Sequence, residues 1–155
     1  MLESVRVTTR GIKRTKEKQT VSVIQRPKNK EKCRLILNPK ELHEAHAHKP
    51  PKFTLPKLED LGRWLASETG QPVYLTKLDL QNCYSSIRLP RGWRRLFIIG
   101  NRRKRYHITR LPFGWRYSPV ICQRLVRKLV AKGLRGLKAI AWTYLDNVLN
   151  AARSK

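Results

Sequence analysis

The chain has 155 residues, enough for one domain that buries roughly 68–70% of its unfolded surface. Forty per cent apolar and 8% aromatic residues exclude a disordered tail, and no stretch approaches the roughly 20 apolar residues of a spanning helix. Thirty-five Lys and Arg against 10 Asp and Glu leave a net charge of +25, a self-repulsion that a polyanion such as nucleic acid relieves.

Those cations are spread along the chain rather than along one amphipathic helix, which argues against a membrane surface as partner. Residues 1–20 form a basic N-terminal segment without the apolar core of a secretory signal. Cys33, Cys83 and Cys122 are odd in number and lack CxxC spacing. They read as reduced thiols of an intracellular protein, not as a disulfide framework or zinc site.

Strands are expected at 21–26 and 33–37, around a Lys-rich turn. Residues 38–56 carry four of the nine prolines and read as an irregular crossover loop. His43, His46 and His48 in that loop have metal-ligand chemistry, although a short loop cluster of this kind is more often only solvated. Leu58, Leu61, Trp64 and Leu65 fall at helical spacing, with Pro56 ahead and Gly70 at the end. "PVYLTKLDL" then reads as a buried strand, and "QNCYSSIRL" turns back beneath it.

"RRLFIIGNRRKRYHITRL" predicts a hairpin with a basic tip from Arg102 to Arg105. The clearest helix is 118–133, with Ser118 as N-cap, Pro119 in the first turn and Gly133 near the stop. Val120, Ile121, Leu125, Leu129 and Val130 can pack, while Arg124, Arg127 and Lys128 share a polar face. "LKAIAWTYL" and "VLNAA" look like two strands with Asp146 and Asn147 at their turn. The order of elements suggests an α+β fold with Asp79 and Asp146 on neighbouring strands.

The acids are distributed unevenly. From residue 80 to 155 there are eighteen Lys and Arg and a single acid, Asp146; the acid just before that window is Asp79. Each ends an apolar run. A carboxylate in such a place either pairs with a nearby Arg or binds a cation, because an unpaired, partly buried charge is costly. Two carboxylates at the ends of adjacent strands suit phosphoryl transfer on nucleic acid, where paired divalent ions sit about 3.5–4 Å apart.

These segments resemble the reverse transcriptases, especially those of retrotransposons. "KLDLQNCYSSIRL" is similar to the family's first catalytic motif, an Asp followed five residues later by an aromatic. "LPFGWRYSPVICQR" resembles the second, and "YLDN" looks like the Tyr-x-Asp-Asp hairpin of the third. "RPKNKEKCRLILNPKEL" resembles the fingers hairpin, and the likeness runs in order from about Gly11 to Ala151.

The resemblance implies a polymerase palm-type antiparallel sheet with helices on one face, preceded by a fingers β-hairpin, within residues 21–155. It implies an RNA-directed DNA polymerase that takes an RNA template, a DNA primer and deoxynucleotides, and uses Mg²⁺ or Mn²⁺ in two-metal transfer to a primer 3′-hydroxyl. Asp79 and Asp146 would hold the ions, with Asn147 as the third catalytic position. Arg34, with Lys28 or Lys32 nearby, would contact the nucleotide's phosphates; read as residues alone, these cations equally form a phosphate-tracking patch. Tyr84 would pack against the sugar and exclude a 2′-hydroxyl, and Phe113 would lie by the incoming nucleotide. Gly114, Trp115 and Gln123 would line the template–primer track, although Trp115 and Tyr144 read equally as core aromatics.

The departures are informative. The family usually has a second acid where this chain has Asn147, so the site loses one of three negative charges, which predicts weaker metal binding and a leaning towards Mn²⁺. Some RNA polymerases of negative-strand viruses look similar, with Asn in this position. Asn38 and Lys40 stand where the family has an acid and an Arg. The chain stops eight residues after Asn147, whereas the family continues through the rest of the palm and a thumb. Truncation there predicts an open sheet edge that a further protein chain could complete. It also keeps a second function in view, a catalytically weak relic that binds RNA within a ribonucleoprotein, and a third, a gene fragment with no function.

Overall fold

The computed structural model describes residues 20–26, 29–45, 48–67, 72–100 and 105–153. In chain order the elements are β1 (Thr20–Arg26), β2 (Asn29–Asn38), α1 (Lys40–Ala45), α2 (Leu58–Ala66), β3 (Tyr74–Asp79), α3 (Cys83–Ser86), α4 (Arg91–Arg94), β4 (Ile98–Gly100), β5 (Arg105–His107), α5 (Ser118–Gly133), β6 (Ala139–Tyr144) and β7 (Asn147–Ala152). They divide into two compact units, Met1–Pro50 with Tyr84–Ser118, and Pro51–Cys83 with Pro119–Lys155. The mixture of helices with antiparallel sheets is the predicted α+β class.

In the first unit, β1 and β2 pair antiparallel from Thr20↔Asn38 to Arg26↔Asn29, with an irregularity between Gln25 and Arg26. β4 and β5 form a second short hairpin, whose predicted basic tip lies, apart from Arg105, outside the described residues. The unit is built around aromatic side chains. Phe97 is fully buried, and Trp115 meets Trp93, Phe97 and Tyr117 at centroid separations of 5.5, 5.1 and 5.2 Å. Edge-to-face pairs like the first two each add about 0.5–1.5 kcal/mol beyond area burial. The Tyr117 hydroxyl donates to the His48 carbonyl at 2.6 Å, and burial raises its pKa.

The predicted crossover loop contains a short helix. In α1 the His43 N–H donates to the Pro39 carbonyl at 2.9 Å, so the proline sits where its missing N–H costs nothing. His43 is held by Arg116: its Nε2 accepts the Arg116 backbone N–H at 3.1 Å, and its carbonyl accepts the guanidinium. His46 lies outside the described residues.

The second unit is a three-stranded antiparallel sheet in the order β3-β7-β6. α5 is tied to the sheet face bearing Thr143 and Val148, both buried, by Gln123, which donates to Thr143; Cys122 and Val126 are buried on the same helix. Leu129, predicted to pack, is instead 59% exposed, because the helix turns the Cys122–Gln123–Val126 face inward. Arg124, Arg127 and Lys128 are exposed, as predicted. α2 starts with the Lys57 N–H donating to the Asp60 carboxylate at 3.0 Å, and its Trp64 meets Trp142 edge-on at 5.8 Å. Arg153 closes over that indole, 4.6 Å from the ring centroid. Its predicted terminator, Gly70, lies outside the described residues.

One strand departs from expectation. β3 was expected to be buried, yet all six of its residues are exposed. Its apolar residues fit a strand, but among the described residues β3 is an edge, paired with β7 alone. Among the described residues, no helix is long and apolar enough to cross a membrane.

Candidate functional site

The chemistry gathers at one end of the β3-β7-β6 sheet. β6 and β7 pair down to Tyr144↔Asn147, leaving a two-residue loop of Leu145 and Asp146. Such loops need a positive φ at the first position, which glycine supplies without strain. Here Leu145 adopts φ 55°, at a cost on the order of 1–2 kcal/mol. Gln123 holds it there. Its Oε1 accepts the Leu145 N–H at 2.7 Å, while its Nε2 donates to the Thr143 carbonyl at 2.7 Å and to the Thr143 hydroxyl at 3.2 Å.

Backbone pairing brings Asp79 to the same end. Asp79, the last residue of β3, stands opposite Asn147, and the next N–H, of Leu80, donates to the Asp146 carbonyl at 2.8 Å. By strand alternation Asp79, Asn147 and Tyr144 share the face opposite Thr143 and Val148. Asp79 is exposed and Asp146 half-buried. Among the described residues the ion pairs are Lys40–Glu44 and Arg63–Asp60, so neither carboxylate is locked onto a cation. The Asp146 Oδ1 accepts the Asn147 amide at 3.2 Å. Two carboxylates with an adjacent amide oxygen form a hard-oxygen donor set, which fits a divalent ion of the Mg²⁺ type.

Beneath this end lie two thiols. Cys83 Sγ and Cys122 Sγ are 3.3 Å apart, Cys122 is fully buried, and burial pushes its thiol up to about 12.

Gln123, expected along a template–primer track, is buried and works from inside the unit as the brace of the Leu145 loop. Gln123→Leu leaves the Leu145 N–H and the Thr143 carbonyl without that partner. Two orphaned backbone groups should destabilise the protein by about 2–4 kcal/mol. Urea unfolding measures it; a loss under about 0.5 kcal/mol would show that the loop holds itself.

The remaining predicted site residues lie in the first unit or on its strands. Tyr84 is buried in α3 with its ring stacked on Phe113, 4.7 Å between centroids and 25° between planes. Phe113 is 39% exposed, so one face of the pair is open. Gly114 follows at φ 95°, a Cβ there would overlap the Leu37 carbonyl oxygen, and the Leu37 N–H donates to the Phe113 carbonyl at 3.3 Å. Trp115 is a core residue. Ser118 opens α5 as predicted, but its hydroxyl donates at 2.6 Å to the Pro112 carbonyl, fastening the helix start to the preceding loop. Lys32 and Arg34 lie on β2, Arg34 opposite Ile24, and Lys28 lies outside the described residues.

A family model described as reverse transcriptase (RNA-dependent DNA polymerase) matches residues 16–155. The chain belongs to the reverse transcriptase family. Among solved structures it is similar to a foamy viral protease–reverse transcriptase in complex with double-stranded DNA, with a TM-score of 0.66 and 18% identity. The likeness covers 88% of this chain and 22% of the foamy viral one, so it bears on the fold. No curated protein matches the chain. Reverse transcriptases generally use divalent metal ions.

Sequence reasoning did not single out Arg116, the strained Leu145 or the proximity of Cys83 to Cys122. Only the last left a signal: Cys83 follows Asp79 by four residues and Cys122 precedes Gln123, so both lie within the motifs.

Proposed function

We propose that this reverse transcriptase domain serves an RNA-directed DNA polymerase of retrotransposon type, adding deoxynucleotides to the 3′-hydroxyl of a DNA primer on an RNA template. The observation that supports it best is the convergence of Asp79 and Asp146, pinned by backbone hydrogen bonds and without a cationic partner among the described residues. Mg²⁺ or Mn²⁺ held there would acidify the primer hydroxyl and offset the charge of the leaving pyrophosphate. Asp79 and Asp146 supply the charged oxygens, and Asn147 a neutral one. By the family resemblance, Arg34, with Lys28 or Lys32, would contact the triphosphate. By the same resemblance, Tyr84, whose ring stacks on Phe113, would be the residue that excludes a 2′-hydroxyl. Gly114 lets the adjoining loop approach β2 closely, while Trp115 and Gln123 hold their surroundings from within.

A second reading, an RNA-binding protein within a ribonucleoprotein, is favoured by Asn147 in place of an acid and by the net charge of +25. The exposed edge strand β3 could also take up a further protein chain.

Primer extension on an RNA template decides between them. The polymerase reading expects deoxynucleotide addition that is faster with Mn²⁺ than with Mg²⁺. Asn147→Asp, which restores the third negative charge, should then raise the Mg²⁺-dependent rate by about tenfold. No extension by either protein, together with RNA affinity that falls steeply with salt, would leave the binding reading alone.

A further inference from the structure

We propose that Cys83 and Cys122 form a reversible disulfide on exposure to a peroxide, and that closing it disturbs the carboxylate end of the sheet. The sulfurs are 3.3 Å apart and belong to segments 39 residues distant in sequence. A disulfide spans about 2.05 Å, so closure draws them together by about 1.2 Å. Closure of that gap would call for rotation of both side chains and a slight backbone shift.

The chemistry is a sequential oxidation. Cys83 is half-exposed and Cys122 fully buried, so a peroxide meets Cys83 first. The Cys83 sulfur attacks one peroxide oxygen; the O–O bond breaks, an S–O bond forms, and hydrogen peroxide leaves one oxygen as water. The Cys83 sulfenic acid is then attacked by the Cys122 sulfur. The S–S bond forms as the S–O bond breaks, and the departing hydroxide leaves as a second water with the Cys122 proton. Two thiols have lost two electrons, and the peroxide has gained them.

The location gives the bond its consequence. The Cys83 N–H donates to the Leu80 carbonyl, and the Leu80 N–H donates to the Asp146 carbonyl. Cys122 precedes Gln123, whose amide holds the Leu145 N–H. A pull between the two sulfurs therefore acts on both supports of the carboxylates. Displacements of about 1 Å are enough to cost a reacting site a hundredfold.

The effect on metal binding rests on the proposed active-site reading, whereas the bond itself does not. The test exposes the wild-type protein to hydrogen peroxide, blocks residual thiols, digests with trypsin and maps the linked peptides. The expected product joins 78–88 to 117–124, disappears on reduction with dithiothreitol and is absent from Cys83→Ser and from Cys122→Ala. Titration with Mn²⁺ alone should show affinity at least about tenfold weaker in the oxidised protein, recovering on reduction. Cys83 driven to sulfinic acid without a cross-link, or joined to Cys33, overturns the thiol pair. A cross-link that leaves Mn²⁺ affinity unchanged overturns its coupling to the site. Neither readout needs polymerase activity, so failed primer extension alone would remove the proposed function and leave this inference to its own result.

Discussion

Asp79→Ala should abolish primer extension and weaken divalent-ion binding while leaving the fold intact. Asp79 is exposed and takes part in no ion pair among the described residues, so the native state loses no partner when its carboxylate is removed. In metal-free buffer, stability should stay within about 0.5 kcal/mol of wild type, as for other surface substitutions. Catalysis should respond very differently. On the proposed polymerase reading, with Asn147 neutral, removal of Asp79 would leave Asp146 as the single charged donor, and extension should fall by a factor on the order of 10³ or more. Asp146→Ala should match that loss but also cost some stability, because Asp146 is half-buried and accepts the Asn147 amide. Parallel extension rates, Mn²⁺ titrations and melting curves check all three expectations. Extension that survives Asp79→Ala would detach the chemistry from this end of the sheet.

The parts of the molecule that sequence made legible are those where periodicity and geometry coincide. α5 announces itself through Ser118-Pro119 and a long amphipathic run, and β6 and β7 through two apolar segments around Asp146. Other features depend on tertiary context. The run in β3 contains as many apolar residues as a core strand, yet nothing in that run says that the strand is exposed and, among the described residues, an edge. α1 is only six residues long and sits among prolines, so its pattern is too short to rise above a loop. The inward face of α5 includes Gln123, a polar residue that hydrophobic patterning places outside; the hairpin it braces explains why it is inside. Asp79 and Asp146 stood out in the sequence as candidates because acids are so scarce in this half of the chain. The cross-strand register that joins them was not, because register is set by pairing, and a one-residue slip would have put Asp79 on the other face.

Gly114→Ala should be among the most damaging single-methyl changes in this protein. Two independent penalties act at that position. The backbone is at φ 95°, where a Cβ is strained whatever the space around it. The Cβ would also fall on the Leu37 carbonyl oxygen, a backbone atom that cannot swing aside like a side chain. Leu37 is buried near the end of β2, and its N–H already donates to the Phe113 carbonyl, so relief would require peeling the 113–114 turn from the strand. Together these should cost roughly 3–5 kcal/mol, in the range reserved for backbone overlap and broken packing. The Tyr84–Phe113 stack should loosen with the turn, altering near-ultraviolet circular dichroism before global unfolding. Gly62→Ala supplies the control. It lies inside α2 with nothing within 4 Å of the added carbon, and helix propensity predicts stabilisation of about 0.5–1 kcal/mol. The two substitutions add the same methyl group and should shift the urea midpoint in opposite directions. If both moved it the same way, the close approach of the Gly114 turn to β2 would have to be abandoned, and with it the role proposed for Phe113.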